Sequence, residues 1–169
     1  MTRLGVLVSV VLMMLSACSE PAVDVAIPGR QGHVADLAGI LDSQALEAQL
    51  TQIAEQGLDI VALTYTTPQA NCGEAFRAGG QIVVQWQADV ALVAVARPGD
   101  FESTDNDRER CLGLRPLDDF SVGRGLREEV TEVLVPPLAT ANEWDQAFAV
   151  AAATLAQGLT DARLEESDQ

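Results

Sequence analysis

Lysine is absent from this chain of 169 residues, and histidine and tyrosine occur once each. Ten arginines face 25 aspartates and glutamates, a formal net charge of −15 with a sequence pI near 4.1. Nucleic-acid binding needs clustered cations against phosphates, and the arginines are scattered. Aromatic residues make up 4%, which argues against base-stacking platforms. The single histidine, His33, stands at the edge of a segment without helical period. A Ser-His-Asp or Cys-His catalytic set would therefore depend on a residue expected to be mobile, and no catalytic residue is assigned. Gly123-Arg124-Gly125 lacks the third glycine of a dinucleotide loop and follows no strong strand, so no nucleotide or redox cofactor is expected. Against these absences the chain is 48% hydrophobic with a mean hydropathy of +0.14, which excludes disorder over most of its length. It has room for one core.

The longest uncharged apolar run lies at the start. Arg3 is followed by an apolar stretch from Leu4 to Leu15, interrupted by Gly5 and Ser9. That is the h-region of a signal peptide over residues 1–17, and it is too short to span a bilayer as a helix. Leu15-Ser16-Ala17-Cys18 is similar to a bacterial lipobox, in which Cys18 is acylated, with palmitate among the chains, and becomes the new N-terminus. Two or three acyl chains, at about 0.8 kcal/mol per buried methylene, anchor stably where one does not. Ser19 in place of Asp favours the outer membrane. The expected location is the cell envelope, lipid-anchored and facing the periplasm. Residues 18–32 carry Pro and Gly without helical period and read as the lipidated Cys and its tether. Loss of Arg3 with the leader leaves nine cations and a net charge of −16, which excludes docking on anionic lipid through a basic patch. Cys72 and Cys111 remain in an oxidising compartment and are a candidate disulfide, the alternative being two buried thiols. With His33 they are the only soft ligands left, too few for zinc.

The domain itself is expected over residues 33–159, ahead of a polar tail at 160–169. Asp42 or Ser43 caps a helix whose Leu46, Leu50 and Ile53 share one face, ending at Gly57. Ile60 to Leu63 form a strand covered on both sides. Asn71 to Trp86 read as a second helix burying Phe76, Val83 and Trp86, with Gly79 and Gly80 each costing it about 1 kcal/mol against Ala. Val90 to Ala96 are the central strand, closed by Pro98-Gly99. Cys111 to Leu114 form a short strand. Val122, Leu126, Val130 and Val133 trace a helix stopped by Pro136-Pro137. Thr140 and Glu143 form a capping box for a last helix that buries Trp144, Phe148, Ala151, Ala152 and Leu155 and ends at Gly158. Helices alternating with buried strands predict an α/β fold, a three-layer α/β/α sandwich with a small central sheet.

Four segments in order resemble the TPM domain, a family named for thylakoid lumen, photosystem II repair and worm receptor-modulator proteins. Asp36-Leu37-Ala38-Gly39-Ile40-Leu41 matches its D-x-A-G-x-L opening. Trp86, Asp89 and the strand from Val90 match the segment before its central strand, although the family's Asn-Gly beside that Asp is missing. Gly113-Leu114, Leu117 and Asp118-Asp119 look like its G-L-E-x-x-L-x-D segment, with Arg115 replacing the Glu. Gly123-Arg124, Val135-Pro136-Pro137-Leu138 and Trp144-Asp145 match its close. The resemblance covers residues 33–159 and marks a divergent member on a bacterial lipoprotein. It implies an α/β/α sandwich and, among members, receptor modulation, photosystem repair, weak acid phosphatase activity or Ca²⁺ and Mg²⁺ binding. It fixes no reaction.

Carboxylates are the most informative polar group. Asp36, Asp89, Asp118 and Asp119 fall at strand ends or turn starts, where one sheet edge could present them as hard ligands for Ca²⁺ or Mg²⁺. The competing reading has Asp36 capping the turn at Gly39 and the others solvating loops. Asp100, Glu102, Asp105, Asp107 and Glu109 have alternate spacing, but Arg110 stands where a calcium loop read from Asp105 needs Gly, so that stretch reads as solvated. The expectation is an accessory or assembly module acting through contacts with an envelope protein, with a divalent cation as an open possibility and no nucleic-acid partner. The alternative is a weak metal-dependent acid phosphatase, for which Arg115 is the one evident phosphate-binding cation.

Overall fold

The computed structural model describes residues 25–105, 107–118 and 122–167, with side chains described through residue 160. The leader at 1–17, Cys18 and Asp119 lie outside the described residues. The elements are β1 (Val34–Asp36), α1 (Ser43–Glu55), β2 (Ile60–Thr66), α2 (Cys72–Trp86), β3 (Val90–Ala96), β4 (Arg110–Pro116), α3 (Arg124–Glu128), a π-helical turn (Glu129–Leu134), α4 (Val135–Thr140) and α5 (Trp144–Ser167). The sheet runs β1-β2-β3-β4, with β1, β2 and β3 parallel and β4 antiparallel to β3. Helices cover both faces, as the unbroken apolar strands predict.

Side-chain alternation divides the core into two. Ile60 and Ala62 of β2 and Val90, Leu92, Ala94 and Ala96 of β3 face Leu46, Leu50 and Ile53 of α1 and Phe148, Ala151, Ala152 and Leu155 of α5. Val61, Leu63 and Tyr65, with Ala91, Val93 and Val95, face Ala75, Ala78, Ile82, Val83 and Trp86 of α2. A run such as Val90–Ala96, buried throughout, needs no alternation in sequence because both of its faces are dry.

The crossovers β1-α1-β2 and β2-α2-β3 step across the sheet in the same direction but over opposite faces. Their hands are therefore opposite. One is left-handed, the hand avoided in about 98% of parallel crossovers.

Local chemistry explains the ends. The Asp42 side chain accepts from Ala45 N at 3.1 Å and that of Asn71 from Glu74 N at 2.9 Å, each capping a helix. Gly57, at φ +90°, turns the chain from α1 toward β2.

Several expectations are corrected. Pro136 and Pro137 do not stop a helix: they fall in the first turn of α4, where backbone N–H groups lack partners anyway. The π-helical turn before them absorbs the mismatch, and Val133 within it is exposed while Val130 is buried. Phe76 is exposed rather than buried. Thr140 closes α4 and Glu143 stands immediately before α5, which starts at Trp144, so the expected capping box is not at the start of the last helix. Gly158 does not end α5, whose backbone continues to Ser167 through most of the expected tail. Gly158 instead faces Leu126 of α3, where a Cβ would approach Cδ2 at 2.6 Å.

The segment read as tether is docked from residue 25 onward. Val25 and Ile27 pack against the α2 core. Trp86 Nε1 donates to Pro28 O at 2.8 Å, and Arg30 donates to both oxygens of Asp59 and to Trp86 O.

Candidate functional site

The parallel strands give the sheet two chemically distinct ends. Asp36 closes β1 at the carboxyl end, while Asp89 precedes β3 at the opposite end. Asp118 follows β4, whose Pro116 pairs with Val90, and so shares the end of Asp89. The expected single rim of Asp36, Asp89 and Asp118 is thus not assembled, because strand direction puts Asp36 the length of a strand away. Asp119 lies outside the described residues. Among the described residues no three His, Cys, Asp or Glu side chains come together to hold a metal ion.

Asp36 is committed to its own turn. Its carboxylate accepts from Ile40 N at 3.1 Å, from Leu41 N at 2.9 Å and from the Thr64 hydroxyl. Gly39, at φ +69°, lets the chain close around it. The D-x-A-G-x-L pattern therefore encodes a turn clipped to β2. Asp89 accepts from Asp59 N at 2.8 Å and likewise ties two strand starts together.

His33 sits between two carboxylates. Its Nδ1 lies 2.8 Å from Glu47 and its Nε2 3.4 Å from Asp59, with the side chain 15% exposed. Glu47 also accepts from the backbone N of His33 and Val34. Burial raises the Glu47 pKa, but the ring and amide hydrogen bonds outweigh it and hold the carboxyl below its ordinary value. Arg30, His33, Glu47 and Asp59 form a latch on the N-terminal strap.

The side formed by α2 and β4 bears out the expected disulfide and adds features the sequence did not foretell. Cys72, at the first position of α2, and Cys111 of β4 are joined as a disulfide, with Cα atoms 5.2 Å apart. Below them the helix and strand nearly touch: a Cβ on Gly113 would lie 3.0 Å from Ala75 Cβ. The outer stripe of α2 exposes Phe76 and Val84, and the Arg115 guanidinium stacks 4.3 Å from the Phe76 ring. Phe76, Arg77, Gly80, Val84 and Arg115 line an open cavity of about 520 Å³. A second, of about 340 Å³, lies between Cys72, Arg108, Arg110, Leu112, Thr131 and Pro136. Inside, Glu74 is buried and bonded to Tyr65 Oη at 3.0 Å and to Arg77 at 2.7 Å. No sequence signal distinguishes this buried carboxylate from an ordinary acid in a first helical turn.

Arg110 is the largest omission of the sequence reading. It donates to the carbonyls of Asp100, Phe101 and Thr140 and to the Asn142 side chain, and its guanidinium lies 5.4 Å from the Trp144 ring. Trp144 Nε1 donates to Phe101 O at 3.0 Å. The acidic loop is thereby fastened to the α4–α5 junction, with Asp100 accepting from Glu109 N and Glu109 pairing with Arg97. Burial lowers the Arg110 pKa, and the like charge of Arg108 adds to it. The alternation Arg108-Glu109-Arg110 beside a cysteine was the available signal, and it reads equally well as surface.

No helix among the described residues is long and apolar enough to cross a membrane. No protein-family model matches this chain, nor does any curated protein.

Proposed function

We propose that the protein is a lipid-anchored accessory or assembly module of the cell envelope, of TPM-like type, that works through contacts with a protein partner. The observation that carries this reading is the α2–β4 side, where two open cavities, exposed apolar groups and arginines adjoin. The candidate metal ligands Asp36 and Asp89, by contrast, are engaged by backbone amides and divided between the ends of the sheet. A divalent cation would have to use Asp36 or the Asp89–Asp118 end, not both. The phosphatase alternative needs the aspartates together and gains nothing from this arrangement. Docking of the strap leaves only the stretch from Cys18 to Val25 as span, at most about 25 Å, so the domain would work close to the bilayer.

Palmitate labelling tests the anchor: the wild type should label and Cys18→Ser should retain its leader. A mature, unlabelled protein in the soluble periplasm would refute it. Affinity capture of the lipidated protein from its native envelope tests the contact role, which fails if no protein is retained above the level of an unrelated lipoprotein.

A further inference from the structure

β4 is an edge strand with a neighbour on one side only, and at seven residues it is more than twice the length of β1 at the other edge. Arg97 N donates to Glu109 O at 3.0 Å and Leu117 N to Asp89 O at 2.8 Å, beyond the two ends of the β3–β4 ladder. In an antiparallel pair, bonded and non-bonded positions alternate. With the register Val93↔Gly113, the odd residues Cys111, Gly113 and Arg115 bond to β3. The N–H and C=O groups of Leu112 and Leu114 therefore point to the open side. Proteins blunt such edges with short strands, charges or proline; β4 carries its only proline at its last position and its charges, Arg110 and Arg115, toward its two ends, leaving Leu112 and Leu114 between them.

Chemistry beside this edge selects what could pair with it. Arg108 and Arg110 border the 340 Å³ cavity that opens next to Leu112. The bonds of Arg108 run to Ser103 O and Thr140 O, and those of Arg110 to carbonyls and the Asn142 amide. Among the described residues no carboxylate forms a salt bridge with either guanidinium. Arg110 feels the like charge of Arg108 and the opposite charge of Asp100 without a salt bridge to it, and a carboxylate seated between the two arginines would relieve their repulsion. In a chain of net charge −15 this is an exceptional place, and it faces an unpaired strand.

We propose that the open edge of β4 receives an extended segment of a partner protein, added as a fifth strand at Leu112 and Leu114, with a carboxylate side chain seated beside Arg108 and Arg110. Main-chain bonds supply the affinity and the arginine pair the selectivity, as in strand addition generally. The inference rests on the proposed role through protein contacts and names its docking edge.

The test uses the mature full chain with its disulfide intact and three probes: a blocked peptide of alternating Val and Glu, its Val-Lys counterpart, and inorganic phosphate. Hydrogen exchange is read at single amides by NMR. The Val-Glu peptide should slow exchange at Leu112 and Leu114 by about tenfold or more at saturation, leaving Cys111 and Gly113 unchanged. Arg108→Gln should weaken that peptide about fivefold or more, while exchange at Cys111 and Gly113 stays as in the wild type and shows β4 still paired with β3. Unchanged Leu112 and Leu114 amides at millimolar Val-Glu peptide would overturn the proposal, as would equal protection by the Val-Lys peptide. Phosphate binding in the cavity, with no peptide effect at the edge, would reduce the site to an anion pocket and also overturn it. Should envelope capture retain a partner while these amides stay unprotected, the docking edge falls and the contact role stands. Capture of nothing would remove the contact role itself.

Discussion

Gly79 of α2 lies so close to Arg115 of β4 that a Cβ placed on it would be 2.7 Å from the Arg115 Cβ, an atom too near the backbone to swing aside. A glycine that weakens the helix by about 1 kcal/mol is therefore what lets α2 settle onto the edge strand. Gly79→Ala should destabilise the domain by about 1–3 kcal/mol despite its better helix propensity, through overpacking. Gly80 has nothing nearer than Arg115 Nε at 3.9 Å, so Gly80→Ala should be neutral or stabilise by up to about 1 kcal/mol. Urea midpoints of the two variants check the contrast, and equal shifts would refute the packing argument.

The disulfide joins residues 39 apart in sequence. On the chain-entropy account it contributes about 4 kcal/mol. The double variant Cys72→Ala, Cys111→Ala should lower the denaturant midpoint accordingly, and reducing the wild type should reproduce that midpoint. A reduced wild type as stable as the oxidised one would show that the bond merely decorates a fold already closed.

Asp36 satisfies two backbone amides and a hydroxyl. Asp36→Ala leaves those donors without their acceptor, and the expected loss is about 2–4 kcal/mol. That loss should be the same in calcium and in chelator. A calcium-induced rise in melting temperature that disappears in Asp36→Asn yet survives in Asp105→Asn would instead assign an ion to the carboxyl end of the sheet.

Glu47 sets the acid limit of the latch. A carboxyl whose folded pKa lies below its unfolded value stabilises fully above that value and loses the contribution as pH falls through the folded one. Hydrogen bonds around His33 put Glu47 on that side of its ordinary value of 4.5. The wild type should therefore lose stability below about pH 4.5, and Glu47→Gln should lose less over the same range. Trp86 indole N–H exchange follows the strap directly, since that group donates to Pro28 O. An acid profile identical in the variant would assign the loss to other carboxylates.

Much of the architecture was legible because its signals are local. Asp42 and Asn71 cap the helices where a side-chain acceptor precedes an apolar period. The stripe of Trp144, Phe148, Ala151, Ala152 and Leu155 is buried throughout, since a 3.6-residue period has one way to face a core. The errors fell where a distant partner overrides a local rule. Phe76 had the period of a buried residue, but Gly79 and Gly113 draw α2 onto β4 along a different line and leave the ring to Arg115. Gly158 looked like a terminator until Leu126 occupied the space where a side chain would stand.

By itself the sequence determined α1, β2, α2, β3, β4 and the last helix in order, the acidic composition and the two cysteines able to pair, and it offered the turn of Asp36 with Gly39 as one of two readings. All of these depend on residues a few positions apart or on composition. Only the tertiary structure decided which end of the sheet each aspartate occupies, that the crossovers take opposite hands, that residues from 25 onward dock instead of trailing, and that Arg108 and Arg110 converge beside an open strand. Those outcomes depend on strand direction and on which face each helix covers. Burial of apolar area settles both, and it acts between residues tens of positions apart without regard to their spacing along the chain.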